Sequence, residues 1–179
     1  MAKLLVAHVG SALLLGTLFT GFASALDPED GALFMRIVDT GGALCCVIKT
    51  DNGAAIVYDT GHGNATGFRA WKGVNDLFPS GHEIALMVLS HSDSDHLGGA
   101  PRIFDDYQVN EVVHSGVVRD TNTSTNTLQR ISSEPDCLDI DLGVSELPEG
   151  TWPYGETKVT FLCGWHLPPP GFPRLAAPE

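Results

Sequence analysis

The chain has 179 residues, of which 43% are hydrophobic, and a formal net charge of −12 at pH 7. This length is sufficient for one domain with a substantial core. The excess of acidic groups repels a nucleic-acid backbone, so the composition argues against DNA or RNA as a partner.

The first 25 residues predict a secretory signal peptide. Lys3 is the only Lys, Arg, Asp or Glu before Asp27, an apolar centre follows it, and Ala23-Ser24-Ala25 forms a small-x-small cleavage pattern. The alternative is a membrane anchor, because the uncharged stretch is about long enough to span a bilayer, but several Gly and Thr residues dilute it. We expect cleavage after Ala25, which would remove Lys3 and change the net charge from −12 to −13. The product would be periplasmic or secreted, without a stable membrane anchor.

Three short apolar runs after this segment predict a β-meander. They cover residues 33–38, 43–49 and 54–58, and they are separated by Gly41-Gly42 and by Asp51-Asn52-Gly53. The second separator is typical of a hairpin turn. The mature chain therefore begins almost entirely as sheet.

A helix and a further strand follow the meander. Apolar side chains recur at spacings of three and four residues within 64–78, which predicts an amphipathic helix that ends at Pro79. The run Ile84–Leu89 then predicts a short buried strand. This strand-helix-strand order after the meander predicts an α/β layered architecture.

Four side chains that can bind divalent metals follow this strand within six residues. They are His91, Asp93, Asp95 and His96, and imidazole and carboxylate are the groups that hold a hydrolytic metal. For any one of them a solvated polar loop is the simpler explanation, but the cluster as a whole favours a metal-binding loop. Gly98-Gly99 then gives a backbone that can turn tightly and come close to the site.

The remainder of the chain predicts fewer elements. These are a helix at 100–107, a strand at 109–114, a helix that begins within 120–127 and continues through 131, a loop with one short strand at 134–150, a last strand at 158–163 and a Pro-rich irregular tail at 164–179. In an open sheet the ends of adjacent strands line one crevice, so His114 could face the same cavity as His91.

All four cysteines lie in the part of the chain that we expect to be exported, where disulfides can form. They are Cys45, Cys46, Cys137 and Cys163. Adjacent Cys45 and Cys46 would point to opposite faces of a strand, so at most one of them reaches Cys137 or Cys163. Buried free thiols that act as small hydrophobes are an equally good interpretation, and the pairing stays open.

The segment 90–99 resembles the HxHxDH metal motif of the metallo-β-lactamase-fold hydrolases, including the Gly-Gly that follows it. This chain has Asp93 where most of the family has the second histidine. The resulting HxDxDH motif is similar to that of the metallo-hydrolase domain of bacterial competence DNA-uptake proteins. The resemblance implies an α/β fold of the metallo-β-lactamase-like αββα sandwich type, with His91 and Asp93 facing a first metal and Asp95 and His96 facing a second.

The same resemblance implies roles for residues outside the motif. Asp59, in an Asp-x-Gly at the end of the meander, would support the metal loop. Independently of the resemblance, their positions in a turn and at a strand end make His62 and His114 candidates for a substrate pocket. The spacing of His166 from His96 would suit a further metal ligand. Relatives of this fold continue with a second half that supplies more ligands, so we expect residues 26–163 to be the N-terminal portion of a longer hydrolase domain.

We therefore expect a metal-dependent hydrolase in which Asp95 is catalytic and a metal-activated water attacks an ester or phosphoester bond of a small molecule. Zinc, as one or two ions, is the expected cofactor. Because Asp93 is a harder ligand than histidine, Mn or Mg is the alternative. Two other functions stay open: a catalytically incomplete metal-binding or interaction domain, and a secreted β-lactamase.

Overall fold

A computed structural model describes residues 31–63, 67–143 and 151–161 of the chain. The predicted signal peptide at 1–25, the Pro-rich tail at 164–179, Cys163 and His166 lie outside the described residues. Within the described part of the chain, no helix is both long and apolar enough to cross a bilayer.

Six strands form one mixed sheet in the order in which they occur along the chain. They are β1 (Phe34–Ile37), β2 (Cys45–Lys49), β3 (Ala55–Thr60), β4 (Ile84–Leu89), β5 (Glu111–His114) and β6 (Leu138–Asp141). The strands β1, β2 and β3 are antiparallel neighbours, which confirms the predicted meander, and β3 to β6 run parallel. Parallel strands need long crossovers, and helices supply them here.

Helices cover one face of the sheet. They are α1 (Gly67–Asn75), α2 (Ser94–Leu97), α3 (Ala100–Phe104) and α4 (Asn122–Ser132). Their buried side chains, among them Val74, Ile103 and Ile131, share the main core with Val57 and Met87 of the sheet. Each fully buried aliphatic side chain of this kind contributes about 1.5–3 kcal/mol to folding, so packing of the helices on the sheet stabilises the fold.

A hairpin of β7 (Trp152–Tyr154) and β8 (Thr157–Val159) covers part of the opposite face. Trp152 and Val159 pack there against a second cluster that contains Leu86 and Val113 of the sheet. The sheet therefore lies between a helical layer and a hairpin. This arrangement agrees with the predicted α/β layered fold.

One carboxylate ties the turn of this hairpin to the turn between β2 and β3. Asp51 accepts hydrogen bonds from the backbone N–H groups of Glu156 and Thr157, at 2.8 Å each, and from Thr157 Oγ1 at 2.6 Å. The Thr157 hydroxyl, followed by the Glu156 N–H, lowers the pKa of Asp51 from its ordinary value of 3.8. These donors stabilise the charged form of the carboxyl group.

The structure differs from the prediction in the extent of several elements. Residues 94–97, predicted as loop, form the single-turn helix α2. The predicted helix at 100–107 ends at Phe104, and the predicted strand at 158–163 is the second strand of the hairpin, from Thr157 to Val159. A helix of one turn is too short to show an apolar period, so its sequence could not be distinguished from a loop.

Candidate metal centre

The predicted metal loop lies at the carboxyl ends of the parallel strands. In the register of the sheet, Tyr58 of β3 pairs with Val88 of β4, and Leu89 of β4 pairs with His114 of β5. The residues that follow these positions therefore meet along one edge. Ligand sites are common at this edge of open α/β sheets, because loops from several strands come together there.

Three of the predicted ligands form a compact group. One ligand atom each of His91, Asp95 and His96 lies within 4.8 Å of the other two, and the ring centroids of the two histidines are 3.7 Å apart. His96 Nε2 is 3.6 Å from Asp95 Oδ2. Bonds from zinc to imidazole nitrogen or carboxylate oxygen are about 2.0–2.2 Å long, so two ligands of one ion lie at most about 4.4 Å apart. Small side-chain movements would therefore let one ion reach all three residues.

Asp59 supports this group from the protein interior. Its side chain is fully buried, and its backbone has a φ of 55°, which is unusual for a residue other than Gly. Its carboxylate accepts hydrogen bonds from the backbone N–H and the hydroxyl of Ser90, at 2.8 Å each. A third bond comes from His96 Nδ1, also at 2.8 Å. These three donors compensate a charge that would otherwise be costly to bury.

The hydrogen bonds around Ser90 indicate which ring nitrogens of the two histidines carry protons. An ionised carboxylate only accepts, so the His96 Nδ1 that faces Asp59 carries a proton. The Ser90 hydroxyl donates its one proton to Asp59 and therefore accepts from His91 Nδ1, at 3.1 Å. Both rings then present the lone pair of Nε2, and a carboxylate behind an imidazole is the usual device that orients it toward a metal.

The backbone of the metal loop is fastened to three other parts of the fold. The bonds run from the Leu44 N–H to the carbonyl of Asp95 at 3.2 Å, from Thr60 Oγ1 to the carbonyl of His96 at 3.0 Å, and from Thr127 Oγ1 to the carbonyl of Leu97 at 3.2 Å. A single-turn helix cannot bond these carbonyl groups within itself. The surrounding fold therefore holds α2, and with it Asp95 and His96.

Gly98 and Gly99 let the metal loop touch the turn at 60–63. A methyl group at Gly99 would overlap the carbonyl oxygen of Thr60, and one at Gly98 would overlap the backbone nitrogen of Gly63. In the reverse direction, a Cβ at Gly63 would lie 2.7 Å from the carbonyl oxygen of Gly98. Side chains at these positions would force the two segments apart.

Asp93 is paired with an arginine and lies at the edge of the compact group. Asp93 is the residue before α2, and its side chain makes no capping hydrogen bond to that helix. Its Oδ1 instead forms an ion pair with Arg119 Nε at 2.8 Å, while its Oδ2 lies 3.5 Å from His91 Nε2. Among the described residues, the compact metal-binding group contains His91, Asp95 and His96 but not Asp93.

His62 and His114 occupy different environments. His62 is partly exposed in the turn that touches Gly98. His114 is 3% exposed, and both of its ring nitrogens are engaged: Nε2 bonds to Asp139 Oδ1 at 2.8 Å, and Nδ1 accepts from the Gly116 N–H at 3.1 Å. Their predicted roles in a substrate pocket stay predictions, as does that of His166, which the structure does not describe.

The cysteines that the structure describes do not belong to this group. The three cysteines among the described residues are free thiols. Burial, with Cys46 and Asp59 nearby, raises the pKa of Cys45 to about 12, and burial raises the pKa of Cys137 to about 11. Such thiols stay protonated at neutral pH and are poor metal ligands.

Two residues of the site were not predicted from the sequence. Ser90 directly precedes His91, so its place in the site could have been predicted from its position beside the motif. Arg119 comes from the segment after β5 and reaches Asp93 only through the fold, and nothing in the sequence pattern indicates that contact.

The donor set fits a divalent metal ion. Two neutral imidazole nitrogens and one carboxylate oxygen are the ligands of many catalytic zinc sites, in which three protein ligands leave a position open for water or substrate. The same set also accepts other divalent transition metals. The buried Asp59 behind His96 provides the orienting contact that such sites require.

A family model described as the Metallo-beta-lactamase superfamily matches residues 38–160. Comparison with curated proteins finds no match. Among solved structures, the chain is similar to one described as the peroxy diiron species of the chemotaxis sensor ODP, with a TM-score of 0.44 and 15% sequence identity. The match covers 69% of this chain and 48% of that one, so the chain spans about half the length of the sensor structure. Likeness at this level of identity does not transfer the iron chemistry of the sensor to this chain.

Proposed function

Because the chain belongs to the metallo-beta-lactamase superfamily, we propose that it is a metal-dependent hydrolase that acts on an ester or phosphoester bond of a small molecule. The observation that carries the proposal is the compact group of His91, Asp95 and His96 at the carboxyl edge of the sheet. The buried Asp59 that orients His96 supports it, because this contact sets the ring for metal binding.

Each residue of the group has a defined task in this proposal. His91 and His96 would hold the ion through Nε2, and Asp59 would keep the proton of His96 on Nδ1. Asp95, whose side chain is 34% exposed beside His96, would bind the ion, orient a water molecule and accept its proton. The chemistry that a divalent ion supplies when bound in such a site is activation of water near neutral pH and polarisation of the bond to be cleaved.

Several finer assignments belong to the same proposal. Zinc is the proposed metal, with Mn or Mg as the alternative, because the site has both imidazole and carboxylate donors. A net charge of −12 supports a small substrate in place of a nucleic acid. Export to the periplasm or the medium follows from the signal-like pattern at 1–25, and the similarity of HxDxDH to competence DNA-uptake proteins stays a prediction.

The test is hydrolysis by the purified protein with Zn²⁺ or Mn²⁺, with p-nitrophenyl acetate and bis-p-nitrophenyl phosphate as probes. We expect turnover that a chelator abolishes and that His96→Ala or Asp95→Asn lowers at least about a hundredfold, because these changes remove metal ligands. His82→Ala is the matched control, since His82 packs against Phe78 in the turn before β4. No turnover of either probe by metal-loaded protein would contradict the proposed activity.

A second candidate function is metal binding without catalysis. The observation that favours it is that the described residues supply three ligands to a single group, which is fewer than a dinuclear site needs. Protein that binds metal but hydrolyses neither probe would support this function. A secreted β-lactamase is the remaining alternative, and chelator-sensitive cleavage of nitrocefin would identify it.

A further inference from the structure

Asp93, which the motif would assign to the first metal, forms an ion pair with an arginine. Asp93 Oδ1 bonds to Arg119 Nε at 2.8 Å, which is the length of a charge-assisted hydrogen bond. Arginine side chains are always charged in proteins. Asp93 Oδ2 is 3.5 Å from His91 Nε2, so the carboxylate lies between the arginine and the edge of the metal-binding group.

The segment that carries Arg119 is fixed to the metal loop and to α4. The buried Ser92, in the metal loop, donates a hydrogen bond to the carbonyl of Val117, and its hydroxyl is 3.3 Å from that of Ser115. The Arg119 N–H donates to the fully buried Ser124 Oγ at 3.2 Å. Hydrogen bonds thus hold the backbone at Val117 and at Arg119. The fold therefore determines where the Arg119 side chain meets Asp93.

We propose that Arg119 is a positioning residue that holds Asp93 in an ion pair and thereby keeps this carboxylate out of the coordination shell of the metal. His91, Asp95 and His96 then bind one divalent ion. The inference rests on the metal-binding part of the proposed function and does not require hydrolysis.

The physical basis is competition between two cations for one carboxylate. Arg119 engages Asp93 Oδ1, so only Oδ2 is left for a metal ion, and the guanidinium and the ion compete for the charge of the same carboxylate. The guanidinium would then lie close to a divalent ion of the same sign. Both effects disfavour Asp93 as a ligand, whereas Asp95 has no comparable arginine partner in the described structure.

The experiment is a double-mutant cycle on the full chain, with Co²⁺ as the probe. Wild type, Asp93→Asn, Arg119→Gln and the double variant are titrated, with stoichiometry and Kd taken from calorimetry and ligand geometry from visible absorption. Arg102→Gln is the matched control, because Arg102 pairs with Asp106. Thermal unfolding confirms that every variant is folded, which we expect because both paired side chains are about two-fifths exposed.

We expect one Co²⁺ per wild-type chain and a Kd that Asp93→Asn changes by less than about threefold. Arg119→Gln should tighten binding about tenfold and change the visible spectrum, because Asp93 becomes free to coordinate. In the Asp93→Asn background the same change should have less than about a threefold effect, which measures loss of repulsion alone.

Three results would overturn the proposal. They are a second Co²⁺ in wild type, a loss of about tenfold or more in Asp93→Asn, and an equal or absent effect of Arg119→Gln in the two backgrounds. Absence of Co²⁺ binding by wild type would remove the metal site itself. Binding as expected without turnover of either ester would contradict only the proposed hydrolysis.

Discussion

Asp59 combines an unusual backbone conformation with contacts to a predicted metal ligand. Its φ of 55° occurs one residue before the end of β3, a conformation that costs about 1–2 kcal/mol for a residue with a Cβ. Its carboxylate lies within hydrogen-bond distance of Ser90 and His96. Strain at one buried residue is thus associated with the orientation of a metal ligand, as is common at functional sites.

Asp59→Asn should weaken binding of Zn²⁺ about 10–100-fold, the range found when a contact behind a metal ligand is lost. Asparagine tolerates the positive φ and can still accept from the Ser90 N–H. Its NH₂ group would, however, face His96 Nδ1 donor to donor. Calorimetric titration with Zn²⁺ measures the effect, and Asp39→Asn is the control because that side chain is 90% exposed. Equal affinities for wild type and Asp59→Asn would refute the assigned role.

Among the elements, the metal loop owes its position to contacts of its backbone with other segments, and not to the helix propensity of its own residues. The helix α2 has only four residues, and side chains or N–H groups of other segments bond the carbonyls of its last three residues. The two glycines after it contact the turn at 60–63 without intervening side chains. The geometry of the site therefore depends on two segments that are far apart in sequence.

Gly99→Ala should destabilise the protein by about 1–3 kcal/mol, the usual cost of adding atoms to a packed interior. The new methyl group would overlap the carbonyl oxygen of Thr60, and a backbone atom cannot rotate away. Gly42→Ala is the matched control, since a Cβ there meets no atom within 4 Å. Urea unfolding followed by circular dichroism gives both values, and similar midpoints for the two variants would exclude the proposed contact.

Because the site depends on segments that are far apart in sequence, only part of it could be predicted from the sequence. The strands β1 to β5 have clear apolar runs, so their positions were predicted to within a few residues. The motif predicted four ligands, of which the structure brings His91, Asp95 and His96 into one group. The ligand roles, and the supporting role that the resemblance implied for Asp59, stay predictions. The pairing of Asp93 with Arg119 was not predicted, since it joins residues that only the packing of the loop after β5 brings together.

For the whole molecule, the two layers on the sheet differ in how they are held. The helical layer shares a large apolar core with the sheet, whereas the hairpin of β7 and β8 covers a smaller cluster. The hydrogen bonds of Asp51 to Glu156 and Thr157 also join this hairpin to the turn between β2 and β3. Attachment of the hairpin is therefore partly electrostatic and depends on pH.

Asp51→Asn should lower the urea midpoint of unfolding at about pH 7, and the difference from wild type should shrink in acid. The pKa of Asp51 in the folded protein is below its ordinary value of 3.8. Its stabilising effect is therefore fully present above that value and is lost as the pH falls through the lower folded pKa. Urea titrations across this range test the prediction, with the exposed Asp105→Asn as control. A difference that stays constant with pH would contradict it.

The direct contact of Gly98 and Gly99 with the turn at 60–63 has a consequence for altering this protein by directed evolution. Loop grafting or random libraries at either segment would mostly yield unfolded chains, because no side chain separates the two backbones to absorb a change. The segment from Ser115 to Arg119 reaches the same site and is attached mainly through serine hydroxyls. Substitutions in this segment leave the glycine contacts intact, provided that Gly116, which has no room for a Cβ, and Arg119, which holds Asp93, are kept.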